Sequence, residues 1–347
     1  MMRFSICAAI VFIFIHSPVF SQEYSFSDND KYVLVIHGGA GTLLPGKMSA
    51  EKERAYRDKL TEALSAGYEK IKNGGQSLDA VTAAITVMED SPLFNAGKGA
   101  VMTHEGKNEL DASIMDGATQ DAGAVAGITT VKNPILAARS VMEKSGHVML
   151  SGPGAEHFAE SQGLEIVAPE YFWTERRWEN LQRVLEKDSA QVELDHDEKQ
   201  TFSPPVVDNI DDKFGTVGAV ARDKKGSLAA GTSTGGMNNK RFGRIGDSPI
   251  IGAGNYANNQ VAVSCTGWGE FYIRTVAAYN VASQMKLLDL SVEEASENVI
   301  EEIGNLGGTG GMIALDKDGN YATPFNTAGM YRGTVNEKGE IKVEIFK

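Results

Sequence analysis

The chain has 347 residues, 42% hydrophobic and 23% charged, an ordinary globular composition with enough apolar sequence for a large buried core. Its formal net charge of -13 repels nucleic acid and anionic membrane surfaces, which reward Lys and Arg. By exclusion, the ligand is a small molecule or a peptide.

At the N-terminus, Arg3 precedes an apolar run from Ile6 to Ile15, a small residue at Ser21 and polar sequence from Gln22. A basic start, a short apolar stretch and a small residue before the polar boundary read as a secretory signal over residues 1–21, with the mature chain secreted or periplasmic. The run is too short to span a bilayer comfortably; an uncleaved anchor is the alternative. Once the signal is removed only Cys265 remains, which leaves no internal disulfide.

Lys31 to Ile36 is a β-branched run that predicts a buried first strand entering a glycine-rich loop, His37 to Thr42. Ser49, with Glu51 and Glu53 behind it, predicts the start of a helix that ends near Gly74-Gly75. Ser77 with Asp79 opens a second helix to about Glu89, Asn133-Pro134 a third that stops at Gly146, and Tyr171 to Lys187 form a fourth. From Asp188 to Asp212 the chain is acidic, polar and proline-bearing, with little to bury, which predicts a mobile surface linker that runs up to Gly215. Thr216–Ala221 and Ser227–Gly231 flank a turn at Asp223–Gly226 as a hairpin, and Gly311–Leu315 with Asn320–Thr323 repeat the pattern. Helices are expected over Glu270–Met285 and Ser291–Asn305, and a last strand over Lys342–Phe346. Helices grouped early and strands late favour a layered α+β fold over a doubly wound one.

The chemistry concentrates where the polar segment ends. Phe214-Gly215 leads into Thr216, the first residue of a buried strand. A threonine hydroxyl is a weak nucleophile without a neighbouring base. Cutting the Gly215–Thr216 bond would free an α-amine on Thr216, which titrates at roughly 7.7–8.0. One residue would then supply both nucleophile and base. Gly215 leaves room at the scissile carbonyl.

Taken alone, Gly-Thr is a common pair. Five ordered motifs follow it: Thr216-Val217-Gly218-Ala219-Val220-Ala221, Gly231-Thr232-Ser233-Thr234-Gly235-Gly236, Gly243-Arg244-Ile245-Gly246-Asp247-Ser248-Pro249, Gly252-Ala253-Gly254-Asn255-Tyr256-Ala257-Asn258 and Cys265-Thr266-Gly267-Trp268-Gly269-Glu270. Three more precede it: His37-Gly38-Gly39-Ala40-Gly41, Leu93-Phe94-Asn95-Ala96-Gly97-Lys98-Gly99 and Leu110 to Gly117. Across nearly the whole mature chain this resembles the plant-type asparaginase and isoaspartyl peptidase family of N-terminal-nucleophile hydrolases.

The resemblance implies a four-layer αββα sandwich and one domain over 22–347, cut into fragments 22–215 and 216–347. It further implies a dimer of cleaved protomers and no cofactor for catalysis. It makes Thr216 the nucleophile, with Thr234 hydrogen-bonded to it. Arg244 would hold a substrate α-carboxylate, which a planar two-pronged donor suits, and Asp247, with the Gly269 carbonyl, the α-ammonium. Thr266 and Gly267 N–H would form the oxyanion hole, and Asn95 would lie beside the nucleophile. A structural sodium ion is also implied, held by backbone carbonyls of Met88, Glu89, Ser91, Phe94, Ala96 and Lys98. Trp268 stands where some members carry a smaller residue, which sets a bulky ring beside the leaving-group side.

Other signals compete. Gly231-Thr232-Ser233-Thr234-Gly235 matches the serine-hydrolase elbow, but no convincing helix start follows it. Gly307–Gly311 resembles a phosphate loop yet precedes a strand, with no Gly-Lys-Ser/Thr after it. His37, His104, His147, His157 and His196 show no zinc-ligand spacing. Glycosylasparaginase is the nearest enzymatic alternative, and an amino-acid-binding module without cleavage the non-enzymatic one. Binding alone needs neither Gly215-Thr216 nor Thr234.

Overall fold

In the computed structural model, which describes residues 31–194 and 215–347, the first strand β1 (Val33–Gly41) is buried along its whole length. The leader expected over residues 1–21 and residues 195–214 of the acidic segment lie outside the described residues. In chain order β1 is followed by α1 (Ala50–Lys72), α2 (Ser77–Glu89), β2 (Leu110–Asp116), β3 (Ala122–Ile128), α3 (Pro134–Lys144), β4 (Met149–Ser151), α4 (Gly152–Ser161) and α5 (Glu175–Leu194). After the junction come β5 (Val217–Arg222), β6 (Leu228–Thr234), β7 (Asn255–Ala257), β8 (Val261–Gly267), α6 (Gly269–Thr275), α7 (Ala277–Leu288), α8 (Val292–Asn305), β9 (Gly310–Asp316), β10 (Tyr321–Ala322), β11 (Gly329–Val335) and β12 (Ile341–Phe346).

The strands form two sheets, one ordered β12-β11-β1-β5-β6-β2-β3-β4 and the other β10-β9-β8-β7. Pairing is antiparallel except between β3 and β4. Successive side chains point to opposite faces and both faces of the central strands are covered, so these strands read as unbroken apolar runs. In β1, Leu34 and Ile36 face Leu60 and Leu64 of α1 and Ile85 and Met88 of α2. Val33 and Val35, on the other face, join Val220, Ala230, Ala262, Ile313 and Leu315 in a cluster shared by the two sheets. The outer side of the smaller sheet packs Val263, Cys265 and Met312 against Val281 of α7 and Val299 and Ile303 of α8.

Helix ends follow the expected chemistry. The Ser49 hydroxyl accepts from Lys52 N–H at the start of α1, and Asp79 accepts from Gln76 N–H at the start of α2. Several expectations are corrected. The His37-Gly38-Gly39 stretch is not a loop: β1 continues through it with a register shift between His37 and Gly39. The expected helix over Glu270–Met285 is two helices, broken at Val276, which sits in the left-handed region at φ 50°. Helix α5 runs on to Leu194 rather than stopping at Lys187, since no Gly or Pro interrupts Asp188 to Leu194. The early half also supplies β2, β3 and β4, so helices and strands are less segregated than the pattern suggests. Asp111 and Asp116 disguised β2, and the glycine- and alanine-rich β3 has few β-branched residues.

Candidate active site

Three strand ends meet at the junction. The β5–β6 register pairs Val217 with Ser233, which places Thr216 beside Thr234 at the end of β6. Their hydroxyl oxygens are 2.9 Å apart and both residues are buried. Thr234 Oγ1 also accepts from Gly236 N–H at 3.0 Å, so its own proton is available for Thr216. The Gly215 carbonyl, the one a cut would attack, accepts from Asn95 N–H at 3.0 Å. Gly39 lies against Gly215 at φ +105°, where an added Cβ would stand 2.5 Å from the Gly215 Cα. The bulge in β1 therefore needs glycine both for its backbone and for this approach.

Asn95 is held at every polar atom. Its Nδ2 donates to the Gly236 carbonyl at 2.7 Å, Oδ1 accepts from Val101 N–H at 2.8 Å, and its carbonyl accepts from Gly235 N–H at 3.0 Å. It ties the 91–100 loop to the turn after β6.

In sequence His37 stands out only within a glycine-rich motif and as a histidine without zinc-ligand spacing. Its Nδ1 lies 3.1 Å from the Thr216 carbonyl and its Nε2 3.0 Å from Ser264 Oγ, which is 2.6 Å from Thr232 Oγ1. Burial pulls the imidazole down to about 3, against the raising effect of the Thr216 hydrogen bond, so the ring is neutral. A carbonyl can only accept, so Nδ1 carries the proton and Nε2 accepts from Ser264. Ser233, the candidate of the serine elbow, is fully buried and donates to Glu89 Oε1 at 2.6 Å. Burial raises Glu89 to about 8, opposed by its hydrogen bonds from Ser233 and Ile135 N–H. A second buried pair lies behind the turn: burial raises the Asp111 carboxyl and lowers the Lys240 ammonium, each opposed by the other's charge. Neither Glu89 nor Asp111 betrayed a buried side chain in sequence, because both look like ordinary surface carboxylates.

Thr216, Thr234, Gly236, Met237, Arg244, Gly246, Asp247, Ser248 and Gly267 line one small pocket. A roomier cleft of about 510 Å³, between α8 and the turn after β10, contains none of these groups. Asp247 is only 5% exposed, and its Oδ2 has no hydrogen-bond partner among the described residues. Burial raises its carboxyl to about 7, with the Arg244 charge opposing. Thr266 Oγ1 is likewise buried without a partner. Arg244 does have one that the sequence did not suggest: Glu270 accepts from its Nε at 2.9 Å and its Nη2 at 2.8 Å. Gly269 begins α6 beside both charged groups.

The carbonyls assigned to a sodium ion fit a hard cation, which takes oxygen ligands. Among the described residues no hydrogen bond reaches the carbonyls of Glu89, Ser91, Phe94 or Lys98. Those of Met88 and Ala96 accept from Ser91 and Gly99 N–H at 3.2 Å. At Gly97, φ 50°, a Cβ would collide with the Glu89 carbonyl oxygen, so the cradle requires glycine. Among the described residues no group of three or more His, Cys, Asp or Glu could hold a metal.

Comparison with known proteins places the chain in a family. The family model described as Asparaginase matches residues 30–345. An isoaspartyl peptidase of Salmonella typhimurium is 52% identical over 87% of this chain and 95% of its own. A plant-type L-asparaginase of Pyrococcus abyssi is 43% identical, covering 86% of this chain and 94% of its own, and an isoaspartyl peptidase/L-asparaginase of Xenopus laevis is 40% identical, covering 88% and 93%. The chain belongs to the asparaginase family of isoaspartyl peptidases and plant-type L-asparaginases. It is thus a hydrolase, and its mixed helices and sheets suit that family. Within this family member the motifs around Thr216, Arg244 and Thr266, far apart in sequence, come together at one pocket, and Asn95 backs it from the first half of the chain.

Proposed function

We propose that the chain is a self-cleaving threonine amidohydrolase acting on β-aspartyl peptides and L-asparagine, built as a four-layer αββα sandwich. Two packed sheets, each covered by helices on its outer face, support that layering. The supporting observation for the chemistry is that one pocket gathers a hydroxyl pair, an arginine and a buried carboxylate with an oxygen unpartnered among the described residues.

In self-cleavage the Thr216 hydroxyl attacks the Gly215 carbonyl carbon, with Asn95 N–H at the developing oxyanion. The C–N bond breaks, the proton lost by the hydroxyl goes to the departing nitrogen, and water hydrolyses the resulting ester. Thr216 then carries a free α-amine that serves as its base. In turnover Arg244 holds the substrate α-carboxylate and Asp247 Oδ2 the α-ammonium. The Thr216 oxygen attacks the side-chain carbonyl, while Thr266 Oγ1, unpartnered among the described residues, and Gly267 N–H receive the oxyanion. Ammonia or an amino acid leaves with a proton, and water releases L-aspartate from the acyl-threonine. A sodium ion on the carbonyls of Met88, Glu89, Ser91, Phe94, Ala96 and Lys98 would fix the 88–98 loop that carries Asn95. Export through the N-terminal signal and assembly as a dimer of cleaved protomers complete the proposal.

The test is a hydrolysis panel of L-asparagine, β-Asp-Leu, α-Asp-Leu and N-acetylglucosaminyl-asparagine. An α-linked peptide has consumed the α-carboxylate in its bond, and a desolvated arginine without its partner costs on the order of several kcal/mol. Strong preference for the β-linked dipeptide is expected. Equal rates on both linkages overturn the role of Arg244, and preference for the glycosylated substrate moves the protein to the glycosylasparaginases.

A further inference from the structure

Glu270 is tied to two side chains at the proposed head-group site, Arg244 and Trp268. Its carboxylate takes two hydrogen bonds from Arg244, and the Trp268 side chain hydrogen-bonds the same carboxylate. Trp268 is the residue immediately before α6, with its ring edge-on to Phe271 at 5.2 Å between centroids.

A guanidinium has two edges that can grip a carboxylate, Nε with Nη2 and Nη1 with Nη2. Glu270 occupies the first. Nη1 makes no hydrogen bond among the described residues, and the glycines beside it show where it lies. A Cβ on Gly246 would stand 2.7 Å from Nη1, and one on Gly236 3.5 Å, and both glycines line the pocket. The free edge of Arg244 is thus presented to the pocket. Asp247 is the other anion within reach: a Cβ on Gly269 would be 2.8 Å from Asp247 Oδ1 and 2.9 Å from Arg244 Nη2. Without Glu270 the guanidinium is free to swing onto Asp247. The site's cation and anion would then quench each other, and a zwitterionic head group would lose both anchors at once.

We propose that Glu270 is the positioning residue of the head-group clamp, gripping Arg244 by its Nε–Nη2 edge so that the Nη1–Nη2 edge faces the substrate carboxylate and Arg244 stays apart from Asp247. The inference rests on the reading that this pocket takes a free α-carboxylate and α-ammonium. Burial alone would raise the Glu270 carboxyl, but the Arg244 and Trp268 hydrogen bonds hold it below its ordinary value, so it stays ionised at working pH. The ion pair is partly buried, with the Arg244 side chain 18% and the Glu270 side chain 45% exposed. Its value to the protein is orientation rather than stability.

The experiment uses fully cleaved wild type, Glu270→Ala and the isosteric Glu270→Gln, with cleavage verified by gel. KM and kcat are measured on β-Asp-Leu, and L-aspartate binding by calorimetry. Glu270→Ala is expected to raise KM and the L-aspartate Kd by about tenfold or more, with kcat changed by less than about threefold. Glu270→Gln keeps one acceptor on the arginine edge and should fall between. Should the alanine variant fail to fold, the glutamine variant decides alone: a raised KM supports the clamp, an unchanged KM overturns it. A lowered KM also overturns it, because Glu270 would then be a competitor for the arginine. So does a fall in thermal stability without any change in KM. A wild type that neither binds L-aspartate nor cleaves β-Asp-Leu sinks the functional reading instead, which separates the two failures.

Discussion

The two ends of the pocket are built differently. At the nucleophile end the surrounding polar groups are bonded to one another: His37 to the Thr216 carbonyl and Ser264, Ser264 to Thr232, Asn95 to Gly235, Gly236 and Val101. At the head-group end Asp247 Oδ2, and between the two ends Thr266 Oγ1, are buried with no partner among the described residues. Buried polar groups are ordinarily satisfied, and each exception asks for a reason. A carboxylate held out of water beside an arginine, with one oxygen free, is costly until a cation arrives. The bonded end is scaffold that keeps two hydroxyls in register; the open end is where ligand chemistry is missing.

The largest effect should come from the scaffolded end. Thr216→Ala removes the one oxygen that both proposed reactions use. Loss of self-cleavage and a fall in turnover of at least about 10⁴-fold are expected, read by denaturing gel and by β-Asp-Leu hydrolysis. A single band for wild type that is nevertheless fully active would defeat the mechanism.

At the open end, Asp247→Asn should divide binding from stability. Burial lifts the folded carboxyl to about 7 from its ordinary value of 3.8. An acid raised on folding stabilises the fold fully below the unfolded value and loses that contribution as pH rises through the folded one. Unliganded wild type should therefore lose stability between about pH 4 and 7 relative to Asp247→Asn. Glu89, raised to about 8, acts in the same direction in both proteins and cancels. Binding runs the opposite way: L-aspartate affinity should increase as pH rises through about 7, as the carboxylate ionises to meet the ammonium. Asp247→Asn should bind at least about 100-fold more weakly. Equal thermal profiles for the two proteins across that range would remove the case for a strained carboxylate.

This contrast also explains what the sequence could and could not tell. Thr216, Arg244 and Asp247 stand out in sequence because they sit in short glycine-flanked motifs, and the structure brings them to one pocket with Gly267, the neighbour of Thr266. The hairpin of β5 and β6 was legible from its turn, and α1 and α8 from their serine caps. Glu270 was only the tail of a motif, because its partnership with Arg244 spans two elements that no local pattern links. His37 read as the start of a loop, since glycines in a bulged strand carry no strand signal. Strand β2 hid behind Asp111, whose burial depends on neighbours brought in by β3 and the Lys240 turn. Helix α4 opens on Gly152-Pro153-Gly154, which reads as a breaker even though proline suits a first turn.

A smaller effect is expected for the network behind the nucleophile. Ser264→Ala leaves His37 Nε2 buried without a donor and should cost about 1–3 kcal/mol of stability. It should also slow self-cleavage more than turnover. His37 grips the Thr216 carbonyl and so would help set the angle at which the hydroxyl meets Gly215, whereas in the proposed function a bound substrate is oriented by Arg244 and Asp247. Denaturant melts and a time course of fragment appearance check this; an unchanged cleavage rate with full loss of stability would limit His37 to a core role.

The smallest effect should come from the 88–98 loop. Exchanging sodium for choline at constant ionic strength removes the cation proposed for its carbonyls. The loss is bounded because other bonds already hold the loop. The Tyr56 hydroxyl donates to the Leu93 carbonyl at 2.9 Å, and Arg176 Nη2 donates to the Pro92 and Leu93 carbonyls at 2.8 and 3.0 Å. Those bonds fasten the middle of the loop. The carbonyls of Glu89 and Lys98 at its two ends have no such partner among the described residues. Removing a ligand that binds only the folded state lowers the melting temperature by mass action, here by about 2–4 °C. Gly97→Ala should abolish the difference between the two salts, because its Cβ would occupy the space beside the Glu89 carbonyl. Melting curves in the two salts for both proteins provide the comparison. A wild type indifferent to the exchange would leave the loop held by Tyr56 and Arg176 alone, and Asn95 positioned without a cation.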